Sequence, residues 1–161
     1  MRTPLFAAAF SLLLTGSAPV SFAQAPASAA TTAATWNTTL EAALQQAKAT
    51  GRPVLAVFSG SDWCKPCIML KQEVFDKPEF EQYAQGKLVL ARFDFPRSKK
   101  NKLPAEQTKQ NEQAAAKLNK EGSFPLVVLL SPEGKVLAKT GYRAGGATAY
   151  TNHLNSLLAQ K

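Results

Sequence analysis

The pattern of apolar and polar positions predicts a chain that alternates between helices and strands. Residues 54–58 (VLAVF) and 126–130 (LVVLL) are continuous apolar runs. Such runs are typical of strands buried on both faces, because neither face meets water. Residues 87–94 (KLVLARFD) lie between them and indicate a further strand. Segments with apolar residues every three or four positions separate the strands, which indicates amphipathic helices.

Capping residues and prolines indicate where these helices begin and end. Thr38 and Glu41 stand in the S/T-x-x-E capping pattern, and the helical spacing that follows stops at Gly51. Pro78 interrupts a second helical pattern and fits the first turn of a new helix. Residues 105–120 and the C-terminal region complete the set of predicted helices.

The predicted order of elements indicates the fold class. Residues 131–134 (SPEG) suit a type I turn, so the strands before and after it should form an antiparallel hairpin. The earlier strands alternate with helices, which favours parallel pairing. We therefore predict an α/β fold whose central mixed sheet has a parallel section, a C-terminal antiparallel hairpin and helices on both faces.

The first residues form a separate segment. Arg2 precedes an apolar run over 5–14, and Ser21 and Ala23 place small residues before a cleavage site after Ala23. This pattern is typical of a secretory signal peptide. The run is too short to cross a hydrocarbon core of about 30 Å, so no membrane anchor is expected. The predicted organisation is a signal peptide over 1–23, a flexible leader over 24–35 and an exported domain, periplasmic or secreted, over 36–161.

The formal net charge of +8 bears on possible partners. No nucleic-acid motif accompanies this charge and export limits contact with nucleic acid, so we expect no nucleic-acid partner. Lys99, Lys100 and Lys102 lie in a basic loop over 96–104. This loop is either a solvated surface segment or, because the carboxyl ends of parallel strands share an edge, a neighbour of the cysteines that attracts an acidic partner.

The candidate chemistry lies in SDWCKPC, residues 61–67, which contains the only cysteines of the chain. Cys64 follows a strand and opens a helix, where unpaired N–H groups and the helix dipole stabilise a thiolate. Lys65 adds positive potential, and Pro66 fits the first helical turn. Cys67 lies one turn inward, close enough for a disulfide. We therefore predict a redox-active pair, with Cys64 as the accessible nucleophile and Cys67 as the resolving cysteine.

Other uses of the cysteine pair stay open. A structural disulfide across two residues would constrain the unfolded chain little. A structural zinc site needs four ligands, and His153, the only histidine, is expected on the surface of the last helix. Copper(I) accepts two thiolates, so a protein that carries copper or a partner without turnover is the alternative to an enzyme. We expect no resident metal or other cofactor.

Two stretches of the sequence resemble a known family. WCKPC, residues 63–67, resembles the active-site motif of the thioredoxin superfamily, with Lys65 replacing the usual glycine. GSFP, residues 122–125, resembles the cis-proline segment of that family. Within it, the chain is similar to exported thioredoxin-like proteins and to the C-terminal domain of periplasmic thiol:disulfide interchange reductases. The resemblance implies a thioredoxin fold and a thiol-disulfide oxidoreductase; Pro66 favours a reductase, whereas an oxidase or isomerase would run the same exchange differently.

The resemblance also implies roles for other residues. Pro125 would pack opposite the dithiol, and Trp63 would support it. The backbone of Phe124 would pair with an extended substrate, and Gly141 would lie in a loop near the active site. The partners would be thiols and disulfides of exported proteins, together with an upstream electron donor.

One departure from the family concerns proton transfer. Relatives usually bury an acid beneath the motif, where it helps to move the proton of the resolving cysteine. Val57 takes that position in this chain. Asp62 is near in sequence, but we expect it to be exposed to solvent. The sequence therefore leaves the proton of Cys67 without an obvious acceptor.

Overall fold

A computed structural model describes residues 35–160 of the chain. The predicted signal peptide, and all of the predicted leader except Thr35, lie outside the described residues. The described part contains one five-stranded sheet with helices on both faces, which confirms the predicted fold class.

The elements follow the predicted order with one addition at the start. The strands are β1 (Trp36–Asn37), β2 (Val54–Ser59), β3 (Val89–Asp94), β4 (Leu126–Leu130) and β5 (Val136–Thr140). The helices are α1 (Leu40–Thr50), α2 (Lys65–Leu70), α3 (Pro78–Lys87), α4 (Ala105–Leu118) and α5 (Gly146–Ala159). A π-helical segment, Lys71–Phe75, continues α2, and a 3-10 turn, Lys99–Asn101, lies between β3 and α4.

The direction of the strands brings three chain segments to one edge of the sheet. The spatial order is β1-β3-β2-β4-β5; β1, β2 and β3 are parallel, whereas β4 runs antiparallel to both β2 and β5. Ser59 pairs with Asp94 where β2 and β3 end, and Phe58 pairs with Leu126 where β4 begins. The cysteine motif, the basic loop and the Pro125 segment therefore leave the sheet at the same edge.

Alternate residues of β2 divide the core into two layers. Leu55 and Val57 pack with residues of α2, α3 and α5, whereas Val54, Ala56 and Phe58 pack with residues of α1 and α4. All five side chains are buried, and each large aliphatic side chain so buried contributes about 1.5–3 kcal/mol of transfer free energy. The central strand is thus apolar on both faces, as its sequence predicts.

Two details at the start of the domain differ from the prediction. The N-cap of α1 is Thr39, whose hydroxyl oxygen accepts from the N–H of Ala42 at 3.2 Å, one residue later than the capping pattern predicts. The sequence also gives no sign of β1, because two residues are too few to show a strand period. The end of α1 is as expected, since Gly51 adopts φ 67°, which favours glycine.

Candidate active site

The two cysteines lie at the start of α2 and are joined by a disulfide. Cys64 is the N-cap residue, and its Sγ accepts from the N–H of Cys67 at 3.3 Å. The S–S distance is 2.04 Å and the Cα atoms are 5.2 Å apart. An N–H group that donates to sulfur favours the thiolate over the thiol. The helix therefore positions Cys64 to carry negative charge once the disulfide opens.

The expected accessibility of Cys64 is wrong for this state of the molecule. Cys64 is 5 % exposed and Cys67 is 4 % exposed. Each sulfur shields the other, because bonded atoms exclude solvent from the surface between them. In contrast, Lys65 and Pro66 between the cysteines are exposed. Burial thus does not distinguish the two cysteines. They differ in position, because Cys64 caps α2 and Cys67 lies within its first turn.

The Pro125 segment is held beside the dithiol by a closed turn. The Phe124–Pro125 peptide bond is cis. Asn119, which is buried, donates from Nδ2 to the Ser123 carbonyl at 2.9 Å and accepts at Oδ1 from the Ser123 N–H at 2.9 Å. A Cβ atom on Gly141 would lie 3.2 Å from the Pro125 carbonyl oxygen, so a larger residue would push on this segment. The predicted site residues Pro125 and Gly141 are therefore in contact.

Aromatic rings cover one side of the site. Trp63 donates from Nε1 to the Phe95 carbonyl at 2.7 Å, and its ring lies 5.4 Å from that of Phe124 in an edge-on arrangement. Phe95 and Phe124 also pack edge-on at 5.3 Å. The Arg97 guanidinium lies 3.6 Å from the Trp63 ring centroid, a cation–π contact. We refer to Trp63, Phe95 and Phe124 as the aromatic cluster.

Asp62 connects the motif to the basic loop. Its carboxylate accepts from the N–H groups of Arg97 and Ser98, both at 2.9 Å, and from Nδ2 of Asn101 at 3.0 Å. The bond from Arg97, followed by that from Ser98, lowers the pKa of Asp62 below its ordinary value. The Asp62 side chain is partly exposed, as expected, but the sequence did not indicate that the basic loop would hold its carboxylate. The loop is thereby anchored two residues before Cys64.

The predicted lysines of the loop are exposed. In the part of the chain that the structure describes, no ion pair within 4.0 Å involves Lys99, Lys100 or Lys102. Because Asp62 anchors the loop, this positive charge belongs to the same edge of the sheet as the dithiol.

A cavity of about 300 Å³ borders Cys67 and Pro125. Val57, which is 3 % exposed, lines it where relatives would carry a buried acid. None of the aromatic cluster lines this cavity. Its charged lining residues are Lys71, Asp76, Arg92 and Asp94, and we refer to it as the charged cavity.

The charged residues of β3 occupy the cavity face of the sheet. Arg92 pairs with Val57 in the register of β2 and β3, and its guanidinium lies 4.5 Å from the Trp36 ring centroid. Burial lowers the pKa of Arg92, opposed by the carboxylates of Asp76 and Asp94. Asp94 accepts from Ser61 twice, from N–H at 2.9 Å and from Oγ at 2.6 Å. The apolar Val57 thus lies beside Arg92 of the neighbouring strand and lines the same cavity as Asp94.

Sequence reasoning missed Asp62, Arg92 and Asp94 as parts of the site. A signal for Asp94 was present, because it ends a strand predicted to be parallel to the one that leads to the cysteines. The positions of Asp62 and Arg92 depend on loop hydrogen bonds and on strand register, which single residues do not reveal.

His153 forms a local contact on α5. Its Nε2 lies 3.0 Å from the Thr140 hydroxyl, and burial, followed by the charge of Arg143, lowers its pKa. Within residues 35–160, no group of three or more His, Cys, Asp or Glu side chains could hold a metal ion. None of the helices in that range is long and apolar enough to span a bilayer.

The chain is similar to known proteins over most of the described region. The model of a family described as thioredoxin-like matches residues 35–132. The chain is 36 % identical over 123 residues to the disulfide bond reductase DsbH of Chlamydia pneumoniae, covering 76 % of this chain and 72 % of that protein. It is 33 % identical over 106 residues to the thioredoxin-related protein DsbJ of the same organism, covering 66 % of this chain but 30 % of DsbJ.

The chain is also similar to a solved structure. The structure described as DsbH oxidoreductase superposes with a TM-score of 0.73 at 31 % identity, covering 91 % of this chain and 96 % of that one. The predicted resemblance to the thioredoxin superfamily is confirmed.

Proposed function

The chain belongs to the thioredoxin-like family and is a thiol-disulfide oxidoreductase, and from that premise we propose that it reduces disulfides of exported proteins. The observation that carries this proposal is the Cys64–Cys67 disulfide at the start of α2, with the Cys67 N–H directed at Cys64 Sγ. The arrangement supports one sulfur as a stabilised thiolate and the other as its intramolecular partner.

The proposed reaction has two exchange steps. The Cys64 thiolate attacks one sulfur of a substrate disulfide, and the other substrate sulfur leaves as a thiolate. Cys67 then attacks Cys64 in the mixed disulfide, which releases the second substrate thiolate and closes the Cys64–Cys67 bond. An upstream electron donor must reduce that bond before the next cycle.

The direction of exchange is supported by two observations. Pro66 stands where reducing thioredoxins carry proline, and the relative DsbH bears the name of a disulfide bond reductase. Lys65 in place of glycine changes the dipeptide that tunes the redox potential. We propose the periplasm, or the cell exterior, as the site of action on the basis of the signal peptide predicted over residues 1–23.

Substrate contacts are proposed for the exposed rim of the site. An extended substrate would pair with the backbone of Phe124 and rest against the ring of Trp63. Lys99, Lys100 and Lys102 would attract an acidic surface of a partner protein, because they are exposed and unpaired within the described residues. Lys65, also exposed, adds to the same potential.

Reduction of insulin by dithiothreitol tests the proposed function. The wild-type protein should accelerate the reaction, and Cys64→Ser should abolish the acceleration because no nucleophile remains. Cys67→Ser should also lose turnover, since the mixed disulfide is no longer resolved from within.

Other outcomes would favour the alternative functions. A wild-type protein that gives no acceleration but binds copper(I) tightly would be a carrier. A protein that oxidises reduced peptides or reshuffles scrambled disulfides faster than it reduces insulin would be an oxidase or isomerase.

A further inference from the structure

The proton of Cys67 needs an acceptor when this cysteine attacks, and Val57 cannot supply one. We propose that Asp94 accepts this proton across the charged cavity. The proposal rests on the function proposed above, since it concerns the step in which Cys67 resolves the mixed disulfide. Asp94 borders the same cavity as Cys67, but it extends from β3 rather than from beneath the motif on β2.

Asp94 is held in place by the segment that precedes the cysteines. Ser61 donates from N–H at 2.9 Å and from Oγ at 2.6 Å, and Ser59 Oγ lies 3.4 Å from Oδ1. Nδ2 of Asn111 donates to the Asp94 backbone carbonyl at 2.7 Å. The carboxylate is therefore oriented by Ser59 at the end of β2 and by Ser61 just before the cysteines. This acid lies on β3, next to the β2 position at which relatives carry theirs.

The cavity offers a route for the proton. A water molecule takes about 30 Å³ in the liquid, so this cavity of about 300 Å³, which both Cys67 and Asp94 line, has room for several. Hydrogen-bonded water can relay a proton between groups that do not touch. The other carboxylate of the cavity, Asp76, is ion-paired with Lys71. Asp94 is therefore the carboxylate of this cavity without an ion pair within 4.0 Å among the described residues.

Charged groups from β3, the basic loop and α4 lie around Asp94. Arg92 lies two residues earlier on the same face of β3 and lines the same cavity as Cys67, where a positive charge stabilises a thiolate. A second cavity, of about 410 Å³, borders Asp94 on the side of the basic loop and α4. Its charged lining residues are Arg97, Lys99, Lys102, Glu112 and Asp94.

The resolving step moves one proton and exchanges one disulfide bond. The Cys67 thiol gives its proton through water to the Asp94 carboxylate, and its sulfur attacks Cys64. The bond between Cys64 and the substrate sulfur breaks, and that sulfur leaves as a thiolate that takes a proton from solvent. In this step the Cys67 sulfur is oxidised and the substrate sulfur is reduced, while Cys64 exchanges one disulfide partner for another. When the upstream donor reopens the disulfide, protonated Asp94 returns the proton to Cys67.

A single-turnover reaction of the reduced protein with the aromatic disulfide dithiobis(nitrobenzoate) separates attack by Cys64 from attack by Cys67. The first release of thionitrobenzoate reports attack by Cys64. The second release reports attack by Cys67 and should not depend on reagent concentration, because it is intramolecular. General bases contribute about 10²–10⁴-fold, and solvent can replace part of this, so Asp94→Asn should slow the second phase about tenfold or more at neutral pH. The slowing should diminish at alkaline pH, where Cys67 ionises unaided.

Matched variants identify the role of Asp94. Asp76→Asn removes another carboxylate from the same cavity and should leave both phases unchanged. Asp94→Glu should restore most of the second phase, because it restores the carboxylate. The variant Asp94→Ser serves the same purpose should the asparagine disturb folding, which circular dichroism checks.

The possible outcomes separate this proposal from the proposed function. Loss of the concentration-independent second phase in the wild-type protein would contradict the proposed function itself. A normal second phase in Asp94→Asn, equal slowing in Asp76→Asn, or equal slowing of both phases would overturn the role of Asp94 while leaving the proposed function intact.

Discussion

The two sides of the dithiol are built from different layers of the molecule. The aromatic cluster packs with the α1 and α4 layer, where Phe95 and Phe124 contact the core. The charged cavity belongs to the layer of α2, α3 and α5, to which Val57, Leu70 and Phe75 contribute. One side thus presents apolar rings and a cation–π contact, and the other places charged groups around the cavity that borders Cys67.

This difference fits the roles proposed above, with substrate binding on the aromatic side and proton transfer on the charged side. Partly exposed aromatic side chains suit contact with an extended peptide, which under the proposed function would pair with the backbone of Phe124. Charged groups beside Cys67 suit proton transfer, because a carboxylate can accept a proton directly or through water. The following predictions separate the two sides.

The largest effect is expected from the tryptophan of the aromatic cluster. Trp63→Ala removes the packing on Phe124 and Arg97 and the hydrogen bond to Phe95, and should lower the free energy of unfolding by about 3 kcal/mol. Insulin reduction by the folded fraction should also fall. Guanidinium unfolding and the insulin assay measure the two effects.

Trp36→Ala is the matched control on the other layer. Trp36 is also half-buried, with Phe75 5.4 Å away and Arg92 over its ring. It should lose comparable stability but keep insulin reduction per folded molecule. Equal loss of activity in the two variants would contradict the assignment of substrate contact to the aromatic cluster.

A smaller effect is expected at the contact between Gly141 and Pro125. Gly141→Ala introduces a Cβ atom 3.2 Å from the Pro125 carbonyl oxygen and should cost about 1–2 kcal/mol while lowering insulin reduction. Gly86→Ala is the control, because a Cβ there meets nothing within 4 Å and helix propensity favours alanine by up to about 1 kcal/mol. Thermal unfolding that is unchanged in Gly141→Ala would argue against a tight contact.

The hydrogen bonds between Asp62 and the basic loop should make the stability of the protein depend on pH. Because the pKa of Asp62 is lower in the folded protein, its ionised form contributes stability above the unfolded pKa, and this contribution is lost as pH falls through the folded pKa. The melting temperature of the wild type should therefore be higher than that of Asp62→Asn at neutral pH, and this difference should shrink below about pH 4.

Asn101→Ala supplies a graded comparison for this pH effect. It removes one of the hydrogen bonds that lower the pKa of Asp62 and leaves the two from backbone N–H groups, so its difference from wild type should shrink over the same pH range and be smaller than that of Asp62→Asn. A difference between wild type and Asp62→Asn that does not vary with pH would rule out the carboxylate as the source.

The smallest effect is kinetic and concerns the basic loop. Replacing Lys99, Lys100 and Lys102 by serine should slow reduction of an acidic disulfide peptide about three- to tenfold at low salt, and less at high salt. A basic peptide of the same length should not be slowed. A control with the same change in charge replaces three exposed lysines elsewhere by serine. These are Lys109 and Lys117 in α4 and Lys120 just after it. Equal slowing by both triple variants would show that only net charge matters.

The sequence predicted the fold and the dithiol because both depend on local patterns. VLAVF and LVVLL are short, β-branched apolar runs typical of buried strands, and WCKPC after a strand indicates the helix start that Cys64 occupies. The sequence did not predict the surroundings of the dithiol, because these depend on long-range register. Asp94 reaches the site only because β3 pairs with β2, and Asp62 anchors a loop thirty-five residues away.

Trapping of mixed disulfides tests the central claim most directly. Cys67→Ala and Cys64→Ala, each reduced and then mixed with insulin, should differ: the first accumulates a covalent adduct on Cys64, and the second forms almost none. Mass spectrometry of the adducts without reductant identifies the linked cysteine. An adduct of equal yield on Cys67 in Cys64→Ala, or no adduct in either variant, would contradict the account in which Cys64 attacks and Cys67 resolves.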